Sequence, residues 1–401
     1  MTKADKEGQR KAPILRFKGF TDDWEQRKLG EIGKIRSCKR IYRDQTSSEG
    51  EIPFYKIGTF GKEADSFIPQ KLYKEYKEKF SFPKVGDILI SASGTLGRTV
   101  VYNGEDAYFQ DSNIVWLDNN NHLVLNNYLE IYYQRVHWKV SEGSTIKRLY
   151  NSDIERTIIS IPKRNEQAKI SECLKLLNKV IALYERKLKL LSQVKKYFLD
   201  NLFAEKEYPN LRFKGYEDTW LKSKFSKFLS IPEKVKVTID SPSRILTVKL
   251  NLGGVQKGAN RTTLKLNSTT YYLRKAGQLI YGKQNLFNGS LAIIPSQFEG
   301  YVTSGDVPSL NIDNIDKRFL YYYIARKSFY KKTEAYSSGT GSKRIHEKTF
   351  LGFNIVYPED LKEQEKISKL ISSINSNIEL YRSKKNNLMA IKKNLLNTMF
   401  I

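Results

Sequence analysis

The sequence predicts an α+β fold in which two mixed α/β domains are joined by two long antiparallel helices that form a coiled coil. Two observations predict this pseudo-twofold arrangement: a motif that occurs twice, and a long heptad-like apolar run after each copy. At 401 residues the chain is long enough for two or three domains with cores of their own. The expected divisions are a disordered tail over 1–14, a first domain over 15–162, a first long helix over 163–205, a second domain over 206–358 and a second long helix over 359–401.

The internal repeat is visible at both ends of each copy. Leu-Arg-Phe-Lys-Gly followed by Trp stands at residues 15–19 and again at 211–215. A Lys-Arg pair that follows a Gly, Ser and Thr-rich loop occurs at 147–148 and at 343–344, and an X-Pro step follows each. The loops between these landmarks differ in length, so we expect a common frame with different interiors.

The two apolar runs, 166–203 and 363–400, contain neither Gly nor Pro and begin with Glu-Gln, which suits a helix first turn. Each helix would be roughly 57 Å long, too long to pack on one small domain. The second copy lies between them, so an antiparallel pair is expected, although each could instead be an ordinary amphipathic surface helix. The predicted core of the helix pair is Ile170, Leu174, Leu177, Ile181, Tyr184, Leu188, Leu191, Ile367, Leu370, Ile374, Ile378, Tyr381, Leu388 and Ile391.

Short β-rich runs bounded by Gly, Asn, Asp or Pro predict the strands of each domain. One shorter helix per copy is expected, at Leu125–Val140 and at Lys317–Tyr336. The predicted strands cover residues 88–90, 100–102, 114–116, 158–161, 245–248, 279–281, 291–294 and 353–356.

The formal net charge of +26 and the pI of about 9.7 point to a polyanionic partner, with nucleic acid the leading class. An anionic membrane surface is the alternative, but no apolar stretch is long enough to span a bilayer, and we expect a cytoplasmic protein. Codon bias would explain the abundance of Lys, Tyr and Ile but not the excess of positive charge. Two cysteines predict neither a disulfide framework nor, with three scattered histidines, a zinc site.

No catalytic motif is recognisable. No two of the 11 prolines are adjacent, so the Pro-Pro-aromatic loop of an adenine methyltransferase is absent. Gly61-Lys62 is followed by Glu63 and does not complete a phosphate-binding P-loop. The sequence therefore predicts no catalytic residue and no metal ligand, and places any catalysis on another chain.

Basic, hydroxyl and aromatic residues cluster in loops that suit DNA, where charge meets phosphates and polar groups reach base edges. Each cluster alone is also compatible with plain solvated surface, but the Lys-Arg pair recurs at the same place in both copies. The candidate DNA contacts are Lys39, Arg40, Tyr42, Arg43, Ser93, Thr95, Arg98, Lys147, Arg148 and Tyr150 in the first copy, and Lys249, Lys257, Arg261, Lys283, Gln284, Asn285, Lys343, Arg344 and His346 in the second.

These motifs resemble the specificity subunits of type I restriction–modification systems over nearly the whole chain. The resemblance rests on the paired Leu-Arg-Phe-Lys-Gly starts, the Gly-Asp-Ile-Leu-Ile-Ser-x-x-Gly-Thr-Leu-Gly stretch at 86–97, the Lys-Arg segments and the Glu-Gln-x-Lys-Ile helix starts. The second copy departs from the pattern, because Gln278 stands where the first has Asp87 and the Gly-Thr-Leu-Gly loop is missing.

The resemblance implies two target-recognition domains that read a bipartite, asymmetric double-stranded DNA site. It also implies two methylation subunits docked on the helices, joined by restriction/translocase subunits. S-adenosylmethionine, ATP and Mg are then expected on the partner subunits, with no cofactor on this chain, and the helix pair would set the unread spacer between half-sites. The alternatives are a stand-alone DNA-binding or antirestriction-like protein without catalytic partners, and the recognition half of a fused restriction–methylation enzyme.

Overall fold

The computed structural model describes residues 12–138, 147–258, 269–339 and 342–401. The predicted tail lies outside the described residues over 1–11. The chain divides into two compact units: a first unit of Met1–Glu185 with Lys384–Ile401, and a second unit of Arg186–Ser383. The two long helices each begin in one unit and end in the other.

The described part of the first unit combines short strands with short helices. Its central sheet has the strand order β2-β8-β5-β6, a second sheet has the order β4-β3-β7, and β1 pairs with β9. The strands are β1 (Glu25–Lys28), β2 (Gly33–Arg36), β3 (Ile52–Tyr55), β4 (Phe67–Ile68), β5 (Ile88–Ser91), β6 (Thr99–Val101), β7 (Tyr108–Phe109), β8 (Ile114–Asn119) and β9 (Ile158–Ile161). The helices are α1 (Leu29–Ile32), α2 (Gln70–Lys79), α3 (Asn126–Tyr133), α4 (Asn151–Glu155) and α5 (Arg164–Asn201), which continues into the second unit.

The described part of the second unit repeats this frame. Its central sheet has the order β11-β19-β16-β17, β10 pairs with β20, and two further sheets have the orders β12-β15-β18 and β13-β14. The strands are β10 (Leu221–Lys224), β11 (Leu229–Ser230), β12 (Lys236–Val237), β13 (Leu246–Val248), β14 (Val255–Lys257), β15 (Tyr271–Leu273), β16 (Leu279–Tyr281), β17 (Leu291–Ile293), β18 (Val302–Ser304), β19 (Ser309–Ile312) and β20 (Asn354–Tyr357). The helices are α6 (Lys317–Ala325), α7 (Lys327–Tyr330), α8 (Glu347–Leu351) and α9 (Leu361–Thr398), which continues into the first unit.

The frame of the repeat is the central sheet. All pairs within both central sheets are antiparallel. Ile88 and Ile90 of β5 enter one core cluster while Leu89 enters another, because successive side chains of a strand point to opposite faces. In the second unit Leu279 and Tyr281 of β16 enter one cluster and Ile280 another. Each fully buried side chain of this kind stabilises its unit by about 1.5–3 kcal/mol.

The repeated Leu-Arg-Phe-Lys-Gly motif has a structural role. Arg16 Nε and Nη2 donate to Glu166 Oε1 and Oε2 at 2.8 and 2.7 Å, so the arginine binds the first turn of α5 through two hydrogen bonds. Arg212 makes the same paired contact with Glu363 of α9, at 2.8 and 2.9 Å. Both glutamates are buried. We call each pair an arginine clamp, and it explains why the motif and the helix start recur together.

The glutamine that follows each of these glutamates completes the joint. Gln167 Oε1 accepts from Leu125 N at 2.8 Å, and its Nε2 donates to Pro162 O at 2.8 Å. Gln364 makes the equivalent contacts with Asp316 N and Pro358 O. The sequence prediction of a favourable helix first turn is therefore incomplete, since these side chains tie the helix to the preceding strand and to the start of α3 or α6.

In the first unit the two long helices run antiparallel. Glu185 meets Lys385 at 3.4 Å, while Ile170, near the start of α5, shares a core cluster with Phe400, beyond the end of α9. The Phe400 ring lies 5.5 Å from that of Tyr128 and 6.2 Å from that of Trp24, centre to centre. Residues that follow α9 thus complete the core of the first unit.

The second unit shows the same direction of packing. Lys187 Nζ donates to the Tyr381 hydroxyl at 2.7 Å, while Leu202, beyond the end of α5, shares a core cluster with Ile367 near the start of α9. The two long helices predicted from the heptad pattern are confirmed, each 38 residues long and each beginning two residues before its apolar run.

Burial along the helices follows a heptad stripe. The predicted core residues Ile170, Leu174, Ile367, Ile374 and Ile378 are buried, and Leu177, Ile181, Tyr184, Leu188, Leu191, Leu370, Tyr381 and Leu388 are half-buried.

Ile391 was wrongly assigned to the core of the helix pair, because it is 49% exposed. The half-buried positions in this part of α9 are Lys385, Leu388, Lys392 and Leu395, which alternate spacings of three and four residues. Two lysines therefore occupy stripe positions that an apolar pattern does not reveal, and their stems supply the packing.

The shorter helices were predicted too long. α3 ends at Tyr133 instead of continuing to Val140, and residues 139–140 lie outside the described part of the chain. In the second copy α6 ends at Ala325, because Arg326 adopts an extended backbone (φ −65°, ψ 131°). Its guanidinium stacks 4.3 Å from the Tyr323 ring centre and 5.2 Å from that of Phe203. This burial of Arg326 interrupts a segment that its composition predicts to be continuous.

Candidate nucleic-acid interface

In the first unit, separate segments of the sequence meet at the turn 111–113, directly before β8. Arg40 Nε donates to Asp111 Oδ2 at 2.9 Å, and Arg148 Nη2 donates to Ser112 O at 2.9 Å. Two candidate DNA contacts that lie far apart in sequence are thus anchored on neighbouring residues of one turn.

A third segment, the loop after β5, reaches the same turn. Ser93 Oγ donates to Asn113 Oδ1 at 2.9 Å, and Ala92 N donates to Asn113 O at 2.7 Å. The Lys-Arg segment closes the arrangement, because Leu149 N donates to Ala92 O at 2.8 Å. The structure therefore brings the Arg40, Ser93 and Arg148 segments together, which we call the three-segment site.

The centre of this turn has an unfavourable backbone conformation. Ser112 has φ of 52°, a left-handed backbone conformation that residues other than glycine rarely adopt. Such a conformation costs about 1–3 kcal/mol and persists only where surrounding contacts hold it. Here the Arg148 guanidinium binds the Ser112 carbonyl oxygen directly.

The second unit has a counterpart of this site around Asp306, in the turn before β19, where two of the three segments meet. Lys283 N, in the loop after β16, donates to Asp306 O at 2.9 Å, and Arg344 Nη2 lies 3.6 Å from Asp306 Oδ2. Ile345 N donates to Lys283 O at 2.9 Å, the counterpart of the Leu149 to Ala92 bond in the first unit. The loop after the central strand and the Lys-Arg segment thus meet in both units, with different side chains.

Gln278, which departs from Asp87 of the first copy, keeps the same structural role. Asp87 Oδ2 accepts from Lys84 N at 2.8 Å, and Gln278 Oε1 accepts from Lys275 N at 3.0 Å. Both side chains are buried, and burial raises the pKa of the Asp87 carboxyl. Either residue closes the turn that leads into the central strand.

A pocket opens beside the three-segment site of the first unit and beside its counterpart in the second. In the first unit a pocket of about 430 Å³ is lined by Ser37, Arg148 and Tyr150, among others. In the second unit a pocket of about 510 Å³ is lined by residues that include Lys283 and Arg274. We call the latter the Arg274 pocket.

Arg274 was not among the sequence candidates, although it is 4% exposed at this pocket. Its Nε donates to Thr303 Oγ1 at 2.6 Å, and its Nη1 and Nη2 donate to Ser309 Oγ and Val307 O at 3.2 Å. Burial lowers the pKa of the guanidinium to about 10, so it is charged at neutral pH. These contacts are long-range, and an isolated Arg after a short strand carries no sequence signal for them.

Glu347 also lines the Arg274 pocket and was missed by the sequence reading. Its carboxylate lies 3.0 Å from Lys283 Nζ. Burial alone raises the pKa of this carboxyl, but hydrogen bonds from its own backbone and from Lys283 bring it below its ordinary value. The Lys283–Glu347 ion pair therefore remains formed at neutral pH.

The remaining first-copy candidates lie outside these contacts. Lys39 Nζ lies 5.1 Å from the Phe80 ring centre, and Arg98 Nη1 donates to Phe60 O at 2.9 Å. Lys39 and Arg98 are both exposed, as are the candidates Arg40, Tyr42, Arg43, Thr95, Lys147 and Tyr150.

Other second-copy candidates are spread over the surface. Lys343 Nζ, which is exposed, donates to Glu334 Oε1 at 2.8 Å. Gln284 and Asn285 are half-buried in the loop after β16. Lys249 and Lys257 are exposed on the β13–β14 hairpin, and His346 is exposed directly before α8. Arg261 lies outside the described residues.

Over residues 12–138, 147–258, 269–339 and 342–401, no group of three or more His, Cys, Asp or Glu side chains could hold a metal ion. No helix in the described ranges is long and apolar enough to cross a bilayer. The geometry instead offers arginine and lysine side chains held beside open pockets, an arrangement suited to phosphates and base edges. Fold and site together define a class of protein with two repeated polyanion-binding units.

A family model described as the type I restriction modification DNA specificity domain matches residues 21–193 and 254–390, more than half of the chain. The chain belongs to this family. It is 58% identical over 142 residues to a putative type I restriction enzyme specificity subunit of Haemophilus influenzae, a match that covers 35% of this chain and 37% of that relative. It is 22% identical over 422 residues to the putative MjaX specificity subunit of Methanocaldococcus jannaschii, covering 94% of this chain and 93% of the relative.

Solved structures share the fold. The S subunit of a type I restriction–modification system from M. genitalium matches with a TM-score of 0.65 and 13% identity, over 97% of this chain and 99% of that one. A second structure, reported for the assembly and conformational transition of the type I R-M system, matches with a TM-score of 0.50 and 13% identity over 97% and 99%. At these identities the likeness concerns the fold.

Proposed function

We propose that this chain is the DNA-recognition subunit of a type I restriction–modification enzyme and performs no catalytic step itself. Each unit reads one half of a bipartite, asymmetric duplex site. Methylation and restriction subunits act on the bound DNA and carry the S-adenosylmethionine, ATP and Mg. The observation that carries this proposal is that the loop after the central strand and the Lys-Arg segment meet at the same turn in both units, with different side chains.

The difference between the two sites is what two separate readers require. Around the turn before β8 the first unit presents Ser93 and Arg148. Around the turn before β19 the second unit presents Lys283 and Arg344. Hydroxyl and amide groups can pair with several base edges, whereas arginine and lysine favour guanine and phosphates. A shared frame with different side chains supports recognition of two unlike half-sites.

The surface of α5 supports docking of the methylation subunits. Leu176, Leu183, Leu190 and Tyr197 follow one another at intervals of seven residues, and each is more than half exposed. Residues seven apart lie on the same face of a helix, so they form one apolar stripe on α5. An exposed apolar stripe of this regularity is typical of a surface that a partner helix covers.

The recognition proposal is tested by exchanging one unit for that of another family member. Residues 15–167 would be replaced as a block, so that Arg16 and Glu166 of the arginine clamp travel together. With a methylation subunit present, mapping of methylated bases should show one half of the motif changed and the other retained. Exchange of residues 211–364 should change the opposite half.

A change of both halves by either exchange, or a motif that neither exchange alters, would contradict recognition by separate units.

The docking proposal has its own test. Leu183→Glu and Leu190→Glu should abolish co-purification with the methylation subunit, because a carboxylate in an apolar contact is left unpaired. Lys189→Glu changes an exposed position about 100° around the helix from the stripe, so it is the matched control and should retain co-purification. Retention by all three variants would place docking elsewhere.

A further inference from the structure

The Arg274 pocket in the second unit contains a buried guanidinium that has no direct ion pair in the described part of the chain. The guanidinium is 4% exposed and is held by Thr303, Ser309 and the Val307 carbonyl. These neutral acceptors orient the group but carry no negative charge. Its Cζ also lies 5.7 Å from the centre of the Tyr272 ring, near the limit for a cation–π contact.

The other charges that line the pocket are already paired. Lys283 lies 3.0 Å and Lys234 lies 3.9 Å from the Glu347 carboxylate. Asp306 lies 3.6 Å from Arg344. Lys234 and Lys283 thus share one carboxylate, and within the described ranges no carboxylate lies within 4.0 Å of Arg274, so the pocket carries an excess of positive charge to which Arg274 contributes.

Other arginines in the same chain show how it treats such groups. Arg16 and Arg212 each have a glutamate in a two-bond contact, and the deeply buried Arg326 stacks on aromatic rings at 4.3 and 5.2 Å. Burying a cation without a counter-charge is costly, and the cost is offset when an anion binds. Arg274 has neither a glutamate contact nor close stacking of this kind. Its charged guanidinium is held at an open pocket, where an anion can bind it.

The pocket is not part of the repeated frame. The paired turns that contain Lys84 and Lys275 align the two copies, and Pro83 then occupies the position of Arg274 in the first. The unmatched charge is therefore particular to the second unit. A feature of one unit alone can anchor that unit on DNA without constraining the other.

We propose that the Arg274 pocket binds one phosphate group of the DNA backbone and thereby positions the second unit on the duplex. This inference rests on the proposed function. A phosphodiester carries a negative charge that would offset part of this positive excess, and a guanidinium matches its oxygens in geometry. Phosphate contacts fix the register of a protein on DNA, while base contacts determine sequence. Arg274 is thus a positioning residue for the readers beside it.

The test uses the full chain with its methylation subunits and measures binding to a specific duplex over a range of salt concentrations. Replacing Arg274 by Gln removes one phosphate contact, so the slope of log affinity against log salt should fall by about 0.9. Between about 50 and 200 mM salt, the wild-type complex should lose roughly 3.5-fold more affinity than the variant. Arg274→Lys keeps the charge and should keep most of the slope.

A second measurement identifies the phosphate. Duplexes carrying one neutral methylphosphonate at successive backbone positions should include one that weakens the wild-type complex and not Arg274→Gln. Arg326→Gln, which removes an equally buried arginine outside the pocket, controls for general destabilisation and should retain both the slope and that penalty. If Arg274→Gln does not fold, the comparison uses Arg274→Lys. In that variant the methylphosphonate at the same single position must cause a smaller loss of affinity than it causes in the wild type.

The proposal is overturned if the salt slope of a folded Arg274→Gln complex is unchanged. It is also overturned if every methylphosphonate that weakens the wild-type complex weakens the variant equally. A variant that retains the slope and methylates a relaxed sequence at one position would make Arg274 a base reader instead. Failure of the wild-type complex to prefer any duplex sequence would refute the proposed function itself. A wild-type complex that binds its site normally confines any failure to the pocket.

Discussion

Removal of one partner from an arginine clamp should destabilise the unit that contains it far more than removal of an exposed ion pair. In Arg16→Ala the Glu166 carboxylate stays buried, with a side chain only 2% exposed, and loses both of its hydrogen bonds from the guanidinium. An uncompensated buried charge of this kind costs about 3–5 kcal/mol. Since Glu166 lies in the first turn of α5, the loss should also loosen the start of that helix.

The control is Arg27, which meets Glu25 and Glu31 on the surface with a side chain 43% exposed. Exposed pairs contribute about 0.2–1 kcal/mol, so Arg27→Ala should have little effect on stability. The double variant Arg16→Ala with Glu166→Ala should cost less than the sum of the single changes, because no charge is then left buried and unpaired.

Urea unfolding followed by hydrogen exchange, resolved by peptide, would measure each unit separately. The loss of protection in Arg16→Ala should concentrate in the first unit, and Arg212→Ala should produce the same pattern in the second. If Arg16→Ala is destabilised no more than Arg27→Ala, the clamp is not what holds the helix start, and the explanation given for the repeated motif is wrong.

Replacing Lys343 and Arg344 by Ala should weaken binding to specific and non-specific DNA alike and lower the salt slope by up to about 2; an unchanged slope would make them ordinary surface charges. Ser112→Gly should raise the melting temperature by relieving about 1 kcal/mol of backbone strain, and Ser112→Val should lower it, so equal melting temperatures would count against strain at this turn. Burial raises the pKa of the Cys38 thiol to about 12, so its contribution to stability is complete below the unfolded pKa of about 8.5 and is lost as pH rises toward 12. Unfolding free energies between those limits should therefore fall more steeply in the wild type than in Cys38→Ala, and parallel curves would contradict this.

The parts of the fold that depend on local pattern were predictable. Buried runs such as 88–90 and 279–281 form central strands, and the long Gly-free heptads form the helix pair. Ile391 could not be excluded from the core by pattern, because it is an apolar residue one position from the stripe, and Lys385 and Lys392 occupy the stripe itself. Strands of two or three residues, such as β4 and β12, depend on their partners and have too few residues to show a period.

The candidate site divides in the same way. Arg148 and Lys283 could be chosen in advance because they are basic residues in loops at matching places of a repeat. The turn 111–113 and Asp306 have no such signal, since their importance comes from side chains that reach them from distant segments. Arg274 was missed for a related reason: nothing in its local sequence shows that its neighbours leave its charge unmatched.

The return of α9 to the first unit has a consequence for synthesis. Met399 and Phe400 lie in the same core cluster as Trp24 and Tyr128, so that core cannot be completed until the last residues of α9 have left the ribosome. Roughly 200 residues separate Glu185 from this segment, and at about 5–20 residues per second they take roughly 10–40 s to translate. During that interval the nascent first unit exposes an aromatic cavity that only its own distant segment fills. The second unit is contiguous and ends at Ser383, so all of its residues are synthesised before the first unit receives its last segment.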